Sequence, residues 1–249
     1  MSARDWNAAV YDRVSDPQFQ WGVQLLDRLP TAHVTSALDA GCGSGRVTAE
    51  LAKRLPGARI LACDAAPSMV ALAREHLPPE IEVFECDLVE LELDERVDLI
   101  VSTAVFHWIP DHDRLFQRLH AALAGGGRLI AQCGGTGNVA DLHAAIARVA
   151  RTETVAHYLE GWRAPWNFQD PASTHDRLAA AGFREIRTWL EPKRVEPPDP
   201  HAFAATVTLG HHLERLPEEL RDRFVDEVIR ESGEPFVLEY VRLNIEATA

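Results

Sequence analysis

Short apolar runs alternate with amphipathic stretches along the middle of the chain. From residue 37 the runs ALDAG, ARILACD, IEVFECD, VDLIVSTA and GRLIAQC alternate with stretches such as VTAELAKRL, SMVALAREHL and DRLFQRLHAAL. Short apolar runs bounded by turn residues are typical of buried strands, and apolar residues spaced three or four apart are typical of helices. The alternation predicts repeated β-α-β units, which build a parallel sheet.

Helical patterns flank this alternation. Residues 5–29 predict two short helices interrupted at Asp16-Pro17, and residues 138–160 predict one long helix capped by Asn138. The aromatic loop GWRAPWNFQDP follows that helix and contains two prolines. This part of the chain is therefore expected to be an insertion.

The alternation resumes in the last third. The segment THDRLAAAGF predicts a helix that ends near Gly182, and REIRTWLE predicts a sixth strand. Residues 201–231 predict further helices, and PFVLEYVRLNIEA predicts a seventh strand. We predict an α/β fold with a doubly wound, mostly parallel seven-stranded sheet and helical lid insertions. The predicted division is N-terminal helices with the cofactor-binding core at 1–135, a helical insertion at 136–182, a core strand at 183–191, a helical lid at 192–234 and a final strand at 235–249.

Composition narrows the class of protein. The 249 residues are 46% hydrophobic, which is sufficient for a packed core. The N-terminal MSARDWNAAV lacks the apolar stretch of a signal peptide, and no apolar run reaches the length of a membrane span. The four cysteines are scattered and form no CxxC pair. We expect a cytoplasmic protein with reduced core thiols and no membrane partner.

Charge and histidine spacing argue against two kinds of site. The formal net charge of −13 would repel a nucleic acid backbone, and no cluster of Lys and Arg offsets it. The 11 histidines show no metal-ligand spacing, because His211 and His212 are adjacent and point in different directions on a helix. We therefore predict no nucleic acid partner and no metal site.

The residues after the first three strands carry the candidate chemistry. The segment from Asp39 to Gly45, DAGCGSG, lets the backbone turn sharply and approach a ligand. Asp64 ends the second strand, nineteen residues past Gly45, and Asp87 follows the third. Ligands of doubly wound sheets bind at these strand ends, where a carboxylate can accept hydrogen bonds from ribose hydroxyls. The pattern indicates an adenosine site, although a purely structural turn is the alternative.

The glycine spacing separates two adenosine cofactors. A dinucleotide site requires GxGxxG, whereas this loop is GxGxG and Arg46 stands in place of the last glycine. The acidic Asp39 at the start of the loop would repel a diphosphate but suits an ammonium or sulfonium group. These features favour S-adenosylmethionine over a nicotinamide dinucleotide.

The segments LDAGCGSG, ECDL, VDLIVSTAVFHWIPD and the strand end at Asp64 resemble the successive motifs of class I S-adenosylmethionine-dependent methyltransferases. Within that class the chain is similar to the trans-aconitate methyltransferases, including the opening DWN, FHWIPDHDRLF and TVTLGHHLERLPEELRDRF. The resemblance implies a Rossmann-like methyltransferase fold and S-adenosylmethionine as the cofactor.

The resemblance also implies roles for individual residues. Glycines would line the methionine end, Asp64 would hold the ribose, and Asp87 with Leu88 would frame the adenine. Asp39 would either order the loop or meet the amino group, and Tyr11 and Gln20 would close over the methionine carboxylate. The full set of predicted cofactor residues is Asp39, Gly41, Gly43, Gly45, Asp64, Ala65, Met69, Asp87, Leu88, Thr103, Tyr11 and Gln20.

Acceptor residues are sought after the fourth strand and in the aromatic loop. His107 is the titratable residue of the fourth-strand segment and hence the catalytic candidate, with packing against the lid as the alternative. Arg163, between two tryptophans, would clamp an acceptor carboxylate or lie on the surface as a solvated charge. The predicted substrate residues are Trp108, Trp162, Arg163, Trp166 and His211.

The predicted function is methyl transfer from S-adenosylmethionine to an oxygen of a small-molecule acceptor. The accepting oxygen is expected to belong to a carboxylate, as in the resembled family. In the late lid region, the resembled family should offer several cationic side chains to a polycarboxylate, and this chain offers histidines there. A more apolar acid or another small metabolite is therefore an alternative acceptor. The alternatives are a C- or N-methyltransferase of secondary metabolism, a nucleotide-dependent oxidoreductase and a non-catalytic ligand-binding protein. The oligomeric state is not predicted.

Overall fold

The computed structural model describes residues 15–29 and 33–249. The described strands are β1 Ser36–Ala40, β2 Arg59–Asp64, β3 Glu82–Glu85, β4 Val97–Thr103, β5 Leu123–Gly134, β6 Arg184–Val195 and β7 Leu238–Thr248. They form one sheet in the order β3-β2-β1-β4-β5-β7-β6. β1 to β5 pair in parallel, and β7 runs antiparallel to both β5 and β6. The predicted mostly parallel seven-stranded sheet is confirmed.

Helices cover both faces of this sheet. Those preceding the first insertion are α1 Asp16–Leu26, α2 Arg46–Arg54, α3 Pro67–His76 and α4 His112–Ala122. The later ones are α5 Ala140–Val149, α6 Ala156–Leu159, α7 Pro171–Ala181, α8 Pro200–Phe203, α9 Gly210–Leu213 and α10 Glu218–Ser232. One core cluster packs α4 and α7 on the sheet, and another packs α1, α2 and α3 on the opposite face. Strand order reverses between β1 and β4, which places the expected ligand site at the carboxyl ends of those strands.

One predicted helix differs from the observed ones. Pro17 lies in the first turn of α1, where a missing N–H does no harm, so the second of the two helices predicted within 5–29 begins at Asp16-Pro17 as expected, and the first falls outside the described residues. Residues 138–160 form α5 and α6 instead of one helix. Asn138 does not cap α5, because its Oδ1 accepts a hydrogen bond from the backbone N–H of Val241 on β7 at 3.0 Å. Val139 occupies the N-cap in a left-handed conformation.

The segments predicted as insertions form a third apolar cluster. Side chains of α5 and α10 pack with Phe203, Leu209 and Tyr240 in this cluster. A five-residue π-helical turn, Ala204–Thr208, joins α8 to the segment before α9. Helix α7, which falls inside the predicted insertion 136–182, packs against α4 and β6. The division into core and lid segments stays a prediction.

Two features are absent from the described residues. No helix within 15–29 and 33–249 is both long and apolar enough to cross a bilayer. Among the same residues, no group of three or more His, Cys, Asp and Glu side chains is arranged to hold a metal ion.

Candidate functional site

The carboxyl ends of β1, β2, β3 and β4 open into a cavity of about 1150 Å³, here called the donor cavity. Its opposite wall is formed by residues 162–167 and by the C-terminal end of α9. Most predicted cofactor residues line it: Gly41, Gly43, Asp64, Ala65, Met69, Asp87, Leu88 and Thr103. All five predicted substrate residues also line it: Trp108, Trp162, Arg163, Trp166 and His211. The fold therefore brings the two predicted sets to one cavity.

The glycine loop after β1 is shaped by steric demands that only glycine meets. Gly41 has φ of +86°, and a Cβ added there would lie 2.2 Å from Cγ2 of Val105. Gly45 caps α2 with φ of +85°, and an added Cβ would lie 2.9 Å from the Leu77 side chain. Gly45 does not line the donor cavity, so its position is explained by packing of the loop against α3.

Asp64 joins the glycine loop to the end of β2. One carboxylate oxygen accepts a hydrogen bond from the backbone N–H of Gly43, and the other accepts one from the N–H of Ala66, both at 2.9 Å. Burial raises the pKa of Asp64, while these backbone donors oppose that rise. Each carboxylate oxygen has a second lone pair for a further donor, such as a ribose hydroxyl.

The adenine side of the predicted site follows β3. Asp87 caps a short 3₁₀ turn, Leu88–Glu90, by accepting a hydrogen bond from the N–H of Val89 at 3.2 Å. Leu88 is buried, and Cys86 joins both residues on the cavity wall. An apolar floor beside an exposed carboxylate suits a purine ring with an exocyclic amino group.

Asp39 lies behind the loop and does not line the donor cavity. Its side chain is 1% exposed, and one carboxylate oxygen accepts a 2.7 Å hydrogen bond from the Thr48 hydroxyl. No described donor reaches its other oxygen. Of the two predicted roles for Asp39, this position supports ordering of the loop, because Thr48 belongs to helix α2 that follows the loop. Burial raises the pKa of Asp39 to about 6.

Replacing Asp39 with asparagine is expected to change how stability depends on pH. The pKa rises from 3.8 to about 6 on folding, so the folded state binds this proton more tightly than the unfolded chain. That stabilisation is fully present below the unfolded pKa and is lost as pH rises through about 6. The stability of wild type relative to Asp39→Asn should therefore fall by up to about 3 kcal/mol from acidic to neutral pH. Urea unfolding at both pH values measures this, and a rise instead of a fall contradicts it.

Helix α1 contributes residues other than the predicted one. Gln18 and Phe19 line the donor cavity, whereas Gln20 is exposed and lies outside its lining. Successive helical residues turn by about 100°, so Gln20 faces away from the wall that Gln18 reaches. The predicted contact of Gln20 with the methionine carboxylate therefore does not fit this geometry. Tyr11 lies outside the described residues.

His107 lies behind the donor cavity in a short 3₁₀ turn, Phe106–Trp108. Its Nδ1 accepts a hydrogen bond from the backbone N–H of Gly134 at 3.2 Å, so the neutral ring carries its proton on Nε2. Burial, followed by the nearby Arg242, lowers the pKa of His107 well below its usual value. His107 is therefore a neutral hydrogen-bond donor and is poorly placed to accept a proton.

Aromatic rings form the lid wall. Trp108 lies between Trp166, at 6.2 Å between ring centroids, and His211, at 5.3 Å. Asn167 ties this wall to the core, because its backbone N–H donates to the carbonyl of His107 at 2.8 Å. Arg163 is exposed at the rim of the cavity.

Sequence reasoning missed several lining residues. The guanidinium of Arg215 lies 5.6 Å from the Trp162 ring centroid, and Glu214 lies beside it on the same wall. Arg46 lines the cavity as well, paired with Asp16 at 2.7 Å and 4.2 Å from the Phe19 ring centroid. The glycine spacing marks Arg46 only as the residue that stands in place of the last glycine of GxGxxG. No local signal marks Arg215 or Glu214, which reach the cavity through the packing of α9 against the aromatic loop.

The lining of the donor cavity suits S-adenosylmethionine. Asp64 and Asp87 supply acceptors for hydroxyl and amino groups, and acidic side chains suit the cationic sulfonium and ammonium groups of that molecule. The volume of about 1150 Å³ is large enough for an adenosyl ligand together with a small acceptor.

Parts of this chain are similar to known proteins. Residues 37–127 match the methyltransferase domain family. Trans-aconitate 2-methyltransferase of Variovorax paradoxus is 39% identical over 128 residues, which cover 51% of this chain and 49% of that protein. The enzyme of the same name from Shigella flexneri is 38% identical over 128 residues, covering 51% and 50%. The match therefore spans about half the length of these curated relatives.

Solved structures show the same fold over a longer span. Haemonchus contortus phosphoethanolamine N-methyltransferase 2 in complex with S-adenosyl-L-methionine has a TM-score of 0.61 at 17% identity, covering 97% of this chain and 56% of that one. An S-adenosylmethionine-dependent methyltransferase from Mesorhizobium loti has a TM-score of 0.52 at 22% identity, covering 94% and 99%. Residues 37–127 of this chain thus match a methyltransferase domain, and the wider likeness to solved structures is one of fold.

Proposed function

We propose that the protein transfers the methyl group of S-adenosylmethionine to a carboxylate oxygen of a small-molecule acceptor. The observation that carries the proposal is that strand-end acids and lid aromatics line one continuous donor cavity. Asp64 and the glycine loop would hold the donor, while Trp108, Trp162 and Trp166 would enclose the acceptor. The curated relatives are named for a carboxylic acid substrate, trans-aconitate.

The reaction needs little from the protein beyond positioning. S-adenosylmethionine supplies an electrophilic methyl group with a thioether leaving group. A lone pair of the carboxylate oxygen forms the new O–C bond as the C–S bond breaks, and the products are a methyl ester and S-adenosylhomocysteine. No proton is released, because a carboxylate is already ionised at neutral pH. The residues of this chain align the two partners and exclude water.

The proposal requires no general base, and this can be tested by pH. Because His107 stays neutral and its Nδ1 is engaged by Gly134, no imidazole titration should appear in the rate. The kcat for a carboxylate acceptor is expected to vary less than about twofold between about pH 6 and pH 9. Initial rates of methyl ester formation at saturating donor measure this. A tenfold rise with an apparent pKa near that of histidine would show that a base is used.

The function itself is tested with a labelled methyl donor and a panel of acids, alcohols and amines. We expect label in an ester that mild alkali releases as methanol, which separates O-methylation of acids from C- or N-methylation. Calorimetry with S-adenosylhomocysteine and with a nicotinamide dinucleotide is the second measurement. Binding of the dinucleotide alone would overturn the proposal, and binding of S-adenosylhomocysteine with no turnover of any acceptor would favour a non-catalytic protein.

The charges of the side chains in the lid limit how many carboxylates the acceptor can carry. Burial, followed by His143 and His211, lowers the pKa of His212 to about 4, and burial also lowers the pKa of His143. These two histidines therefore add no charge at neutral pH, and arginines are left to balance an acidic acceptor. An acid with fewer carboxylates than trans-aconitate fits such a lid. A cytoplasmic location and the absence of nucleic acid partners stay predictions.

A further inference from the structure

Two cysteines lie side by side where β2 and β3 end. Cys63 lies on β2, opposite Phe84 in the parallel pairing with β3. The pairing continues past the end of β3, because the backbone N–H of Cys86 donates to the carbonyl of Asp64 at 2.9 Å. Side chains alternate between the faces of a sheet, so Cys86 points to the same face as Phe84 and Cys63. All three pack in the apolar cluster on the α4 face, which makes the two cysteines diagonal neighbours.

The two cysteines differ in access. Cys63 is 0% exposed, so no molecule in solution can reach its thiol. Cys86 is half-buried and lines the donor cavity beside Asp87 and Leu88. A small molecule that enters the adenine side of the cavity therefore meets the Cys86 thiol.

The interaction between the two thiols makes Cys86 the more reactive one. A hydrogen bond from Cys63 lowers the pKa of Cys86, against burial and the charges of Asp87 and Glu90, which raise it. The same interaction, followed by burial, raises the pKa of Cys63. Because the thiolate is the nucleophilic form of cysteine, Cys63 is a supporting donor and Cys86 is the nucleophile.

The surroundings of Cys86 limit which oxidant can react with it. Asp64 and Asp87 line the cavity here, and their carboxylates repel an anionic disulfide such as oxidised glutathione. Neutral hydrogen peroxide is not repelled. Diagonal residues on neighbouring strands have Cα atoms about 8 Å apart, beyond the reach of about 7 Å for a disulfide. The product is therefore a modified Cys86 and not a bond to Cys63.

We propose that Cys86 is a redox-sensitive modification site, at which hydrogen peroxide forms a sulfenic acid that weakens binding of the methyl donor. The thiolate sulfur attacks one peroxide oxygen, the O–O bond breaks, and hydroxide leaves and takes up a solvent proton to form water. This is a two-electron oxidation of sulfur and reduction of the peroxide. The new S–OH group places a polar atom beside Leu88 on the adenine side of the donor cavity. The inference rests on the proposed function for the presence of the donor in this cavity.

The test combines calorimetry with mass spectrometry on the full chain. The protein is treated with hydrogen peroxide, the excess is removed with catalase, and S-adenosylhomocysteine is titrated. We expect a sulfenic acid at Cys86, trapped as its dimedone adduct, and a Kd raised by about fivefold or more. Dithiothreitol should restore the affinity, and S-adenosylhomocysteine bound beforehand should slow the oxidation. Absence of the adduct at Cys86 would overturn the proposal.

Variants of the two cysteines separate their roles. In Cys86→Ser the Kd after peroxide should equal the Kd before it, whatever its starting value. Cys63→Ala should slow oxidation of Cys86 by about fivefold or more and move the rise of its rate to higher pH. Cys63→Ser keeps an O–H donor and should recover part of the rate. Equal pH profiles in wild type and Cys63→Ala would exclude Cys63 as the group that stabilises the thiolate.

Cys42→Ala is the matched control. Cys42 also lines the donor cavity, but burial, followed by the charges of Asp39 and Asp64, raises the pKa of its thiol. Peroxide should therefore raise the Kd of this variant by the same factor as in wild type. If untreated wild type does not bind S-adenosylhomocysteine, the proposed function fails. If it binds equally well before and after oxidation of Cys86, only the modification site is overturned.

Discussion

Replacing Asp64 with alanine is expected to weaken binding of S-adenosylhomocysteine by about 1–3 kcal/mol, roughly 5- to 150-fold in Kd. The change removes the predicted acceptors of the ribose hydroxyls. It also removes the acceptors that hold the N–H groups of Gly43 and Ala66 at 2.9 Å, so the glycine loop keeps only its backbone bonds to Cys63 of β2. Calorimetric titration of wild type and variant measures the effect.

Two further variants make the Asp64 experiment specific. Asp64→Asn keeps the size of the side chain but directs its NH₂ at one of two backbone donors, so an intermediate loss is expected. Asp94→Ala removes an exposed aspartate that lies outside the donor cavity and should leave the affinity unchanged. An unaltered Kd for Asp64→Ala would remove Asp64 from the donor site.

Replacing Gly41 with alanine is expected to lower the free energy of unfolding by about 2–5 kcal/mol. One part of the loss is the left-handed backbone at φ of +86°, and the other is the 2.2 Å approach of the new Cβ to Val105. Val105 follows β4 and lines the donor cavity, so its displacement would also disturb that wall. Urea unfolding measures the loss, and an unchanged m-value shows that the native fold is kept.

Gly57→Ala separates the two contributions to the Gly41 effect. Gly57 has φ of +85°, but an added Cβ there would meet no atom within 4 Å. Only the backbone term applies, so a loss of about 1 kcal/mol is expected. If the two alanine variants lose the same free energy, steric contact with Val105 does not constrain the loop.

Local patterns were sufficient for most of the core. The alternation of apolar runs and helical stretches predicted all seven strands. The rule that ligands bind at the carboxyl ends of the strands predicted that Asp64 and Asp87 share one site, and both line the donor cavity although 23 residues separate them. Such predictions succeed because strand and helix periods are local, and because parallel strands place their carboxyl ends on one edge. The antiparallel entry of β7 between β5 and β6 was not predicted, since pairing depends on contacts between distant segments.

The residues that sequence reasoning placed wrongly share one physical cause. Asn138 has the composition of a helix cap, yet a backbone N–H on β7 captures its side chain. Gln20 has the chemistry of a carboxylate ligand, yet the phase of α1 turns it to solvent and brings Gln18 to the cavity instead. In both cases the direction of the side chain follows from packing onto distant parts of the chain, namely β7 for Asn138 and the strands β4 and β5 under α1 for Gln20.

The sequence alone determined the α/β alternation and the glycine loop with its acidic strand ends, and it is these features that predict S-adenosylmethionine as the cofactor. Only the tertiary structure decided that His107 is buried and neutral, and that Arg242 from the final strand lines the same small cavity as Ala104. The reason is that backbone turns and periodic faces depend on near neighbours. The charge and hydrogen bonding of a buried group depend instead on whichever distant residues the fold packs around it.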